Sequence, residues 1–298
     1  MNQPQSESQI GKAALWMTGA IASFSAMAVA GRQVSFALDT FEIMMYRSVV
    51  GVLVICALLT FGGNWHKVSG RMLGTHFLRN AAHFTGQNLW FYAVTVIPLA
   101  QVFALEFTSP LWVIILSPLF LGERMTKPRV IAGILGFVGI LLVARPDPGN
   151  LNIGVVTAAS SAVFFALTAM FTKRLTRKQE VIEIMFWLTT MQLALGILCA
   201  GIDGDVALPD AVTAPWLILI GFAGLLAHFC LTSALSVAPA TVVVPIDFAR
   251  LPVIAVIGML LYDEPLDLFV FAGAALIFGG NYYNILSETR AARRAVRT

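Results

Sequence analysis

Charged residues are scarce in this chain of 298 residues. Asp, Glu, Lys and Arg together make up 12% of the sequence, whereas hydrophobic residues make up 58%. A typical soluble domain carries about 25% charged residues and could not hide so much apolar surface. Lipid tails, by contrast, tolerate apolar side chains on the outside of a protein. The composition therefore excludes an ordinary soluble domain and indicates an integral membrane protein.

The motifs that usually mark catalysis or cofactor binding are also lacking. Cys56, Cys199 and Cys230 each lie in an apolar run without metal-like spacing, which predicts small apolar fillers. There is no His-Glu-x-x-His, no Ser-His-Asp arrangement and no phosphate loop. Basic residues do not alternate with aromatic ones in a stripe, as nucleic-acid binding would require. We therefore expect no catalytic residues, metal, cofactor, nucleic-acid partner or nucleotide-binding domain.

Ten apolar stretches are long enough to cross a bilayer, which takes about 20 residues of helix. The first is interpreted as a retained helix rather than a signal peptide, because Lys12 alone charges the segment before it. The runs are too long for the strands of a membrane barrel. We predict an all-α integral membrane protein with ten transmembrane helices near 13–31, 40–62, 72–94, 99–121, 129–144, 152–173, 181–201, 215–236, 240–262 and 267–286.

Lys and Arg are distributed unevenly among the connections. If both termini are cytoplasmic, 14 of the 19 fall in cytoplasmic segments and only Arg32 and Arg145 in outer loops. The other three, Arg47, Arg79 and Arg250, lie inside spans. Cytoplasmic loops of membrane proteins carry such an excess of basic residues. The bias predicts cytoplasmic termini for a multi-pass protein of the cell inner membrane.

The second half of the chain echoes the first at an offset of 141 residues. Acidic residues match best: Glu106 aligns with Asp247, each before a Phe, and Glu123 with Glu264. Five helices per half is an odd number, so the second half enters the membrane the opposite way round. We predict an inverted repeat, with one half in 1–147 and the other in 148–298, as in many secondary transporters.

Three segments of the first half carry a resemblance to a known family. They are Glu106-Phe107-Thr108-Ser109-Pro110, Leu121-Gly122-Glu123-Arg124, and the glycine-spaced run through Gly133, Gly136 and Gly139 to Arg145-Pro146. In the second half Ala238-Pro239-Ala240-Thr241 and Asp263-Glu264-Pro265 look like the same pattern. The chain thus resembles the EamA-type drug/metabolite transporter superfamily, and is similar to its bacterial aromatic amino-acid exporters. The resemblance implies ten helices, a five-plus-five inverted repeat and cytoplasmic termini.

The resemblance leaves the substrate open. Members of the superfamily also carry nucleosides, vitamins, S-adenosylmethionine and drugs, and these motifs do not separate them. Asp263 stands where the family usually has Gly, so we expect the outer turn before Glu264 to be built differently.

A polar stripe marks the third predicted helix. Arg79, His83, Gln87 and Trp90 recur at spacings of four, four and three, which puts them on one helix face. An ionisable residue at mid-membrane costs about 2.5–3.5 kcal/mol on insertion scales, so it needs a partner or a wet cavity. The stripe is interpreted either as a substrate-binding surface or as a packing network between helices.

Depth in the membrane suggests ion pairs. Arg47 and Glu106 lie equally far from the outer face, and Arg79 and Asp247 equally far from the inner face, with Arg250 one turn beyond. We predict an outer pair, Arg47–Glu106, and an inner cluster, Arg79–Asp247–Arg250. They are either gates that form and break or static structural pairs.

Prolines mark corresponding helices of the two halves. Pro110 and Pro118 are expected to interrupt the fourth helix, and Pro245 and Pro252 the ninth. Broken helices in matching positions point to a transporter's binding site. The alternative interpretation is simple curvature for packing.

Other polar and aromatic side chains complete the candidate substrate site. His228, in the middle of the eighth helix, is either a packing residue or a group that couples transport to protons. Trp112, Phe165 and Trp187 are candidates for an aromatic pocket wall. Asn281 and its neighbours at the end of the last helix are interpreted as an interfacial belt.

These observations favour a secondary transporter that exports small organic solutes, with amino acids of aromatic character as the expected substrates. Transport of another metabolite or drug in either direction is the alternative. A membrane-embedded enzyme lacks a catalytic cluster, and a channel lacks a filter sequence. The repeat encloses a pathway within one chain, so a monomer suffices.

Overall fold

The described part of the chain is helical and contains no strand. The computed structural model describes residues 7–121, 126–145, 152–176, 178–202, 204–237, 246–247 and 249–295. A short 3₁₀ turn, Trp65–Lys67, joins the second helix to the third. The helices are α1 (Glu7–Val34), α2 (Thr40–Phe61), α3 (Leu73–Val96), α4 (Leu99–Glu106), α5 (Ser109–Leu121), α6 (Lys127–Ala144), α7 (Ile153–Thr176), α8 (Val181–Ala200), α9 (Ala214–Val237), α10 (Arg250–Tyr262) and α11 (Leu268–Ala295).

Eight segments of the described residues are long and apolar enough to cross a membrane. One of them, Leu99–Leu116, runs through α4 and into α5. Helix α3 has 24 residues, which is long enough, but it carries too many polar side chains to qualify. The ninth predicted span is described mainly in its last part, α10, since 238–245 lie outside the described residues. The chain is therefore a multi-pass helical membrane protein.

The principal helix contacts join the first half of the chain to the second. Helix α1 packs against α9, and α3 against α7. Helix α2 packs against α8, α4 against α10, and α6 against α11. The apolar core lies between these pairs, while many Leu, Ile and Phe side chains remain on the outside, where lipid tails accept them.

Helices α6 and α11 approach each other through glycine. A Cβ atom added at Gly139 would lie 2.6 Å from the carbonyl oxygen of Gly273, and one at Gly273 would lie 2.6 Å from that of Gly139. Small residues let helix backbones come close in a membrane, where packing replaces the hydrophobic driving force. Gly139, the last glycine of the glycine-spaced run, thus serves helix packing.

The fourth span is broken near the middle of its apolar stretch. Helix α4 ends at Glu106 and α5 begins at Ser109, so Pro110 is the second residue of a new helix, where its missing N–H costs no hydrogen bond. Pro118 lies within α5, so the expected interruption there is wrong.

In the ninth span a helix begins at the corresponding position. Helix α10 begins at Arg250, 141 residues after the start of α5, and Pro252 lies in its first turn. The backbone turns at Ala249 just before it. Pro245, Pro239 and Glu123 lie outside the described residues.

Candidate functional site

The polar residues of α3 form one buried face. Arg79, His83, Gln87 and Trp90 are each at most 6% exposed, although three of them are polar or charged. We call these four residues the α3 stripe. It faces α7, α8, α1 and α2, so it lies inside the bundle rather than against lipid. The structure thereby brings together the four residues that the helical spacing had aligned.

Arg47 on α2 contacts the stripe, and we call Arg47 and the stripe's own Arg79 the arginine pair. Arg47 on α2 donates a hydrogen bond from Nη1 to Gln87 Oε1 at 2.7 Å. Arg79 donates from Nε to Thr172 Oγ1 at 3.2 Å and from Nη1 to Asn80 Oδ1 at 2.9 Å. All three acceptors are neutral. Among the described residues, no carboxylate lies within ion-pair distance of either arginine.

Two imidazoles lie beside the arginine pair. The ring centres of His83 and His228 are 6.0 Å apart, and His83 lies 6.2 Å from the ring of Phe165. Both ring nitrogens of His83 are buried and have no hydrogen-bond partner among the described residues. His83 lies one helical turn from Arg79 on one side and one turn from Gln87, the partner of Arg47, on the other.

A cleft opens next to these groups between α2, α8 and α9. Its volume is about 20 Å³, which is room for about one water molecule. Arg47 and His228 provide its charged and aromatic walls, and Ser48, Thr189 and Gln192 add neutral polar groups. The cleft is therefore too small for an organic solute in this conformation, but it brings donors and acceptors together between the three helices.

The other end of the α3 stripe meets a cluster of charges. Trp90 donates from its indole N–H to Glu106 Oε2 at 2.8 Å. Arg250 Nη2 lies 3.3 Å from Glu106 Oε1 and 3.0 Å from Asp247 Oδ2. We call Glu106, Asp247 and Arg250 the Arg250 cluster. It joins the last residue of α4 to the first residue of α10, at the two helix breaks.

Aromatic rings surround the guanidinium of Arg250. Its central carbon lies 4.6 Å from the ring centre of Phe24, 5.1 Å from that of Phe103 and 4.9 Å from that of Phe107. Cations are attracted to aromatic faces, and more strongly when water is excluded. The arginine is thereby held by two carboxylates and three rings.

The predicted ion pairs are only partly correct. The Arg250–Asp247 contact is confirmed, but Glu106 pairs with Arg250 instead of Arg47, and Arg79 takes no part in the cluster. Depth counted along a helix says nothing about the direction in which a side chain points. Helix α2, which carries Arg47, packs mainly against α8 and α9, whereas α4 packs mainly against α7 and α10.

A further buried ion pair closes one end of the bundle. Arg32, assigned above to an outer loop, lies in the last turn of α1 and pairs with Glu264. Arg32 also donates to the carbonyl oxygens of Val94 and Ile97, while Glu264 Oε2 accepts from the backbone N–H of Leu99 at 2.9 Å. Sequence analysis missed this pair because a basic residue near a helix end is usually a loop residue.

The turn before Glu264 keeps a geometry that suits glycine. Asp263 has φ 53° and ψ 31°, in the left-handed region. Aspartate is one of the few other residues that enter this region readily. The aspartate therefore fills the position without a side-chain conflict, and Glu264 can fold back onto the start of α4.

Some candidate aromatic residues lie away from the stripe. The indole N–H of Trp187 donates to the carbonyl of Ser69 at 2.9 Å, in the connection between α2 and α3. Trp112 has a buried indole N–H with no partner among the described residues. Asn281 is buried and donates to the carbonyl of Phe107 at 3.4 Å, so it supports the helix break and is not part of an interfacial belt.

The arrangement of the helices and their polar residues indicates a class of protein. A multi-pass helical bundle with two broken helices and a buried polar stripe is typical of a membrane transporter. The model of the EamA-like transporter family matches this chain twice, over residues 11–145 and 152–286. The chain therefore belongs to the EamA-like transporter family and is a transporter rather than an enzyme.

Several curated relatives are transporters of different solutes. The chain is 29% identical to a riboflavin transporter of Brucella anthropi, covering 85% of this chain and 90% of the relative. It is 25% identical to an S-adenosylmethionine uptake transporter of Rickettsia conorii, covering 94% of each. It is 31% identical to a pseudopaline exporter of Pseudomonas aeruginosa, covering 86% of this chain and 89% of the relative. None of these three is named for an aromatic amino acid.

A solved crystal structure has the same fold. It superposes with a TM-score of 0.64 at 19% identity and covers 94% of this chain and 99% of that chain. At this identity the match concerns the fold alone.

Proposed function

We propose that this protein is a secondary transporter that carries a small organic solute by alternating access, along a path lined by the α3 stripe. The observation that carries the proposal is the buried stripe itself, which joins the arginine pair to the Arg250 cluster across the inside of the bundle. Residues of this kind inside a membrane are expected to serve transport, because they are costly to insert.

The proposed architecture is ten transmembrane helices in two inverted halves, 1–147 and 148–298. The two family matches begin 141 residues apart, as do the helices that follow the two breaks. Exchanging the halves also leaves the main helix contacts unchanged: α1 with α9 becomes α7 with α3, while α2 with α8 and α6 with α11 map onto themselves. Halves related in this way rock about the site between them.

In this proposal α3 and the ninth span, with α10 as its last part, complete the ten crossings. Both termini then lie in the cytoplasm of a bacterial cell, and the protein resides in the inner membrane. One chain encloses the pathway, so a monomer is sufficient.

The proposed solute carries a planar ring. Aromatic amino acids, expected from the resemblance, share that feature with riboflavin and with the adenine of S-adenosylmethionine, which the names of two relatives suggest. Phe165 adds an aromatic ring beside the stripe, 6.2 Å from the ring of His83, and Trp90 provides one within it.

Counterflow into liposomes tests the proposal. The purified chain is reconstituted, loaded with an unlabelled solute, and exposed outside to labelled tryptophan, phenylalanine, threonine, riboflavin or S-adenosylmethionine. Saturable uptake of a ring-bearing solute, above that of empty liposomes, is expected. Threonine serves as the control without a ring.

Two results would change the conclusion. Uptake of threonine equal to that of every ring compound would refute the aromatic preference while leaving the transporter. Uptake of no member of the panel, by protein that elutes as a single folded species, would refute the proposed substrate class and turn the search to drugs.

A further inference from the structure

We propose that the Arg250 cluster is the proton-binding site of the transporter, and that Asp247 takes up and releases one proton in each transport cycle. The inference rests on the proposed function, since secondary transport needs a driving ion, and it names that ion and its place. It assigns to a pair of carboxylates the proton coupling that sequence analysis considered for His228.

The cluster carries one negative charge more than it balances. Glu106 and Asp247 bring two carboxylates, whereas Arg250 brings one guanidinium. Both carboxylates converge on the same nitrogen of that guanidinium, Nη2, at 3.3 Å and 3.0 Å. One negative charge is therefore left over inside the bundle. A buried carboxylate without a counter-charge is costly, and uptake of a proton neutralises it.

The surplus follows from the repeat. Glu106 and Asp247 correspond at the offset of 141 residues, but the residue that corresponds to Arg250 is Ser109. Each half thus contributes a carboxylate, and only the second half contributes a guanidinium. Among the described residues, no further Lys or Arg forms an ion pair with either carboxylate.

One carboxylate oxygen of the cluster is available for a proton. Glu106 Oε1 and Asp247 Oδ2 face Arg250, and Glu106 Oε2 accepts from Trp90 at 2.8 Å. The fourth oxygen, Asp247 Oδ1, is buried and has no hydrogen-bond partner in the part of the chain that the structure describes. A proton binds there without displacing a donor. Water on one side of the membrane gives up the proton and an O–H bond forms at Oδ1; that bond breaks when the proton passes to water on the other side, with no change of oxidation state.

The helices around the cluster bring no other charge to it among the described residues. Helix α4 packs against α3, α6, α7, α10 and α11, and α10 also packs against α1. Helices α1, α6 and α7 carry no ionisable side chain in 13–31, 130–144 and 153–172. On the α3 stripe, His83 stands two turns before Trp90, and the tyrosines of α11 are about 40% exposed.

A proton fits this site better than a metal ion does. Hard metal cations take about six or more oxygen ligands, and the cluster offers one carboxylate oxygen without a donor. The rings of Phe24, Phe103 and Phe107 surround the guanidinium and supply no ligand atoms. The described residues contain no group of three or more His, Cys, Asp or Glu side chains that could hold a metal. Coupling to sodium is therefore the competing outcome of the test.

The position of the cluster connects proton binding to movement of the two halves. Glu106 is the last residue of α4, and Arg250 is the first residue of α10. When Asp247 is protonated, the guanidinium is left to Glu106 alone, and the contact between the halves tightens. When the proton leaves, Asp247 competes for the guanidinium and the contact loosens. A ligand that acts differently on two arrangements in this way shifts the balance between them.

Infrared spectroscopy detects the proton without any solute. A protonated carboxyl group has a C=O stretch that a carboxylate lacks. In the folded chain in detergent, such a band is expected to titrate between about pH 6 and 8, where exposed carboxylates are already ionised. It is expected to disappear in Asp247→Asn and in Glu106→Gln, because each leaves one carboxylate paired with Arg250. Glu180→Gln is the control and keeps the band, since Glu180 is an exposed carboxylate that pairs with Lys67.

A pH gradient across liposomes supplies the second measurement. The solute is labelled riboflavin, or another member of the counterflow panel that is taken up, and the membrane potential is clamped. A difference of one pH unit is expected to change its accumulation about tenfold if one proton moves with, or against, each solute molecule. This response is expected to be lost in Asp247→Asn and Glu106→Gln and kept in Glu180→Gln. A sodium gradient is expected to have no effect.

The outcomes separate this inference from the proposed function. A titrating band of unchanged size in either cluster variant, or accumulation driven by sodium instead of protons, would overturn the proton site. So would a response to the pH gradient that survives both substitutions. If counterflow occurs without any titrating band or response to pH, the transporter stands and the site is wrong. A band that depends on both carboxylates, without uptake of any solute, would leave the site and refute the transport proposal.

Discussion

Replacement of Glu264 by alanine is expected to loosen one end of the helix bundle, because this carboxylate connects four segments of the chain. It pairs with Arg32 at the end of α1 and accepts a hydrogen bond from the N–H of Leu99 at the start of α4. Arg32 in turn donates to two carbonyl oxygens at the end of α3. Glu264 itself follows directly on α10.

The size of the effect follows from what the substitution leaves behind. Breaking a buried ion pair costs about 3–5 kcal/mol, because the other charge stays buried without its partner. The two side chains here are 9% and 13% exposed, and Arg32 keeps its carbonyl partners, so the lower end of that range applies. The Leu99 amide, which precedes the first hydrogen bond of α4, loses its acceptor and adds about 1 kcal/mol. The expected loss is therefore about 3–4 kcal/mol.

Unfolding of the purified chain in mixed micelles, titrated with a denaturing detergent, measures this loss. A double-mutant cycle with Arg32→Ala isolates the pair, and the two single losses are expected to add to more than the double loss. Lys67→Ala is the matched control, because Lys67 pairs with Glu180 at 2.9 Å with side chains 33% and 61% exposed. That exposed pair is expected to contribute less than about 1 kcal/mol.

One result would refute the reasoning. If Glu264→Ala unfolds at the same detergent concentration as wild type, the carboxylate does not hold this end of the bundle. The same follows if its loss of stability is no larger than that of Lys67→Ala. Glu264→Gln separates the two contributions, since its amide oxygen still accepts from Leu99 but no longer carries a charge. An intermediate loss of stability is expected for that variant.

Three further variants test other parts of the structure. His83→Ala is expected to reduce counterflow at least tenfold, as loss of a solute contact worth about 1.4 kcal/mol does, with wild-type insertion and elution; full rates in well-expressed protein would contradict a role in the path. Arg250→Gln leaves two carboxylates facing each other and is expected to lower stability by about 3 kcal/mol; unfolding identical to that of wild type would contradict this expectation. Gly139→Leu is expected to force α6 from α11 and lower the yield of folded protein, while Gly133→Ala, which has open space around it, is the control.

The architecture could be predicted from the sequence because it depends on averages over long segments. Apolar runs of about 20 residues, short polar connections and an offset of 141 residues survive errors at single positions. The helices lie at the predicted spans, although α1 begins at Glu7 rather than near 13 and α11 ends at Ala295 rather than near 286. The fourth span is broken, and hydropathy does not register a break between two apolar helices.

The α3 stripe was predictable for a similar reason. Spacings of four, four and three place side chains on one helix face whatever the neighbouring helices do. The same polar residues lower the mean hydropathy of α3, so it is not among the eight apolar segments. A helix that is too polar to be recognised as a span, yet buried in the bundle, is therefore a sign of the pathway rather than an argument against it.

Partners across helices could not be predicted, and the charges show why. Arg47 and Glu106 were predicted to share a depth, but Arg47 bonds to Gln87 and Glu106 to Arg250, so the pair does not form. Neutral residues such as Asn80 and Thr172 gave no signal, although they bind Arg79. Lateral position depends on how helices pack, and depth alone does not contain that information.

The repeat does contain part of the missing information. Glu106 and Asp247 correspond under the offset of 141 residues, and the structure brings both to one guanidinium, that of Arg250. In the proposed inverted repeat, two equivalent positions can meet only near the axis that relates the two halves. Corresponding acidic residues at mid-membrane are therefore expected to be neighbours, and a depth argument that pairs each with a separate arginine ignores that constraint. Applied to the sequence alone, this rule would have placed Glu106 with Asp247 and left Arg47 and Arg79 without a carboxylate partner.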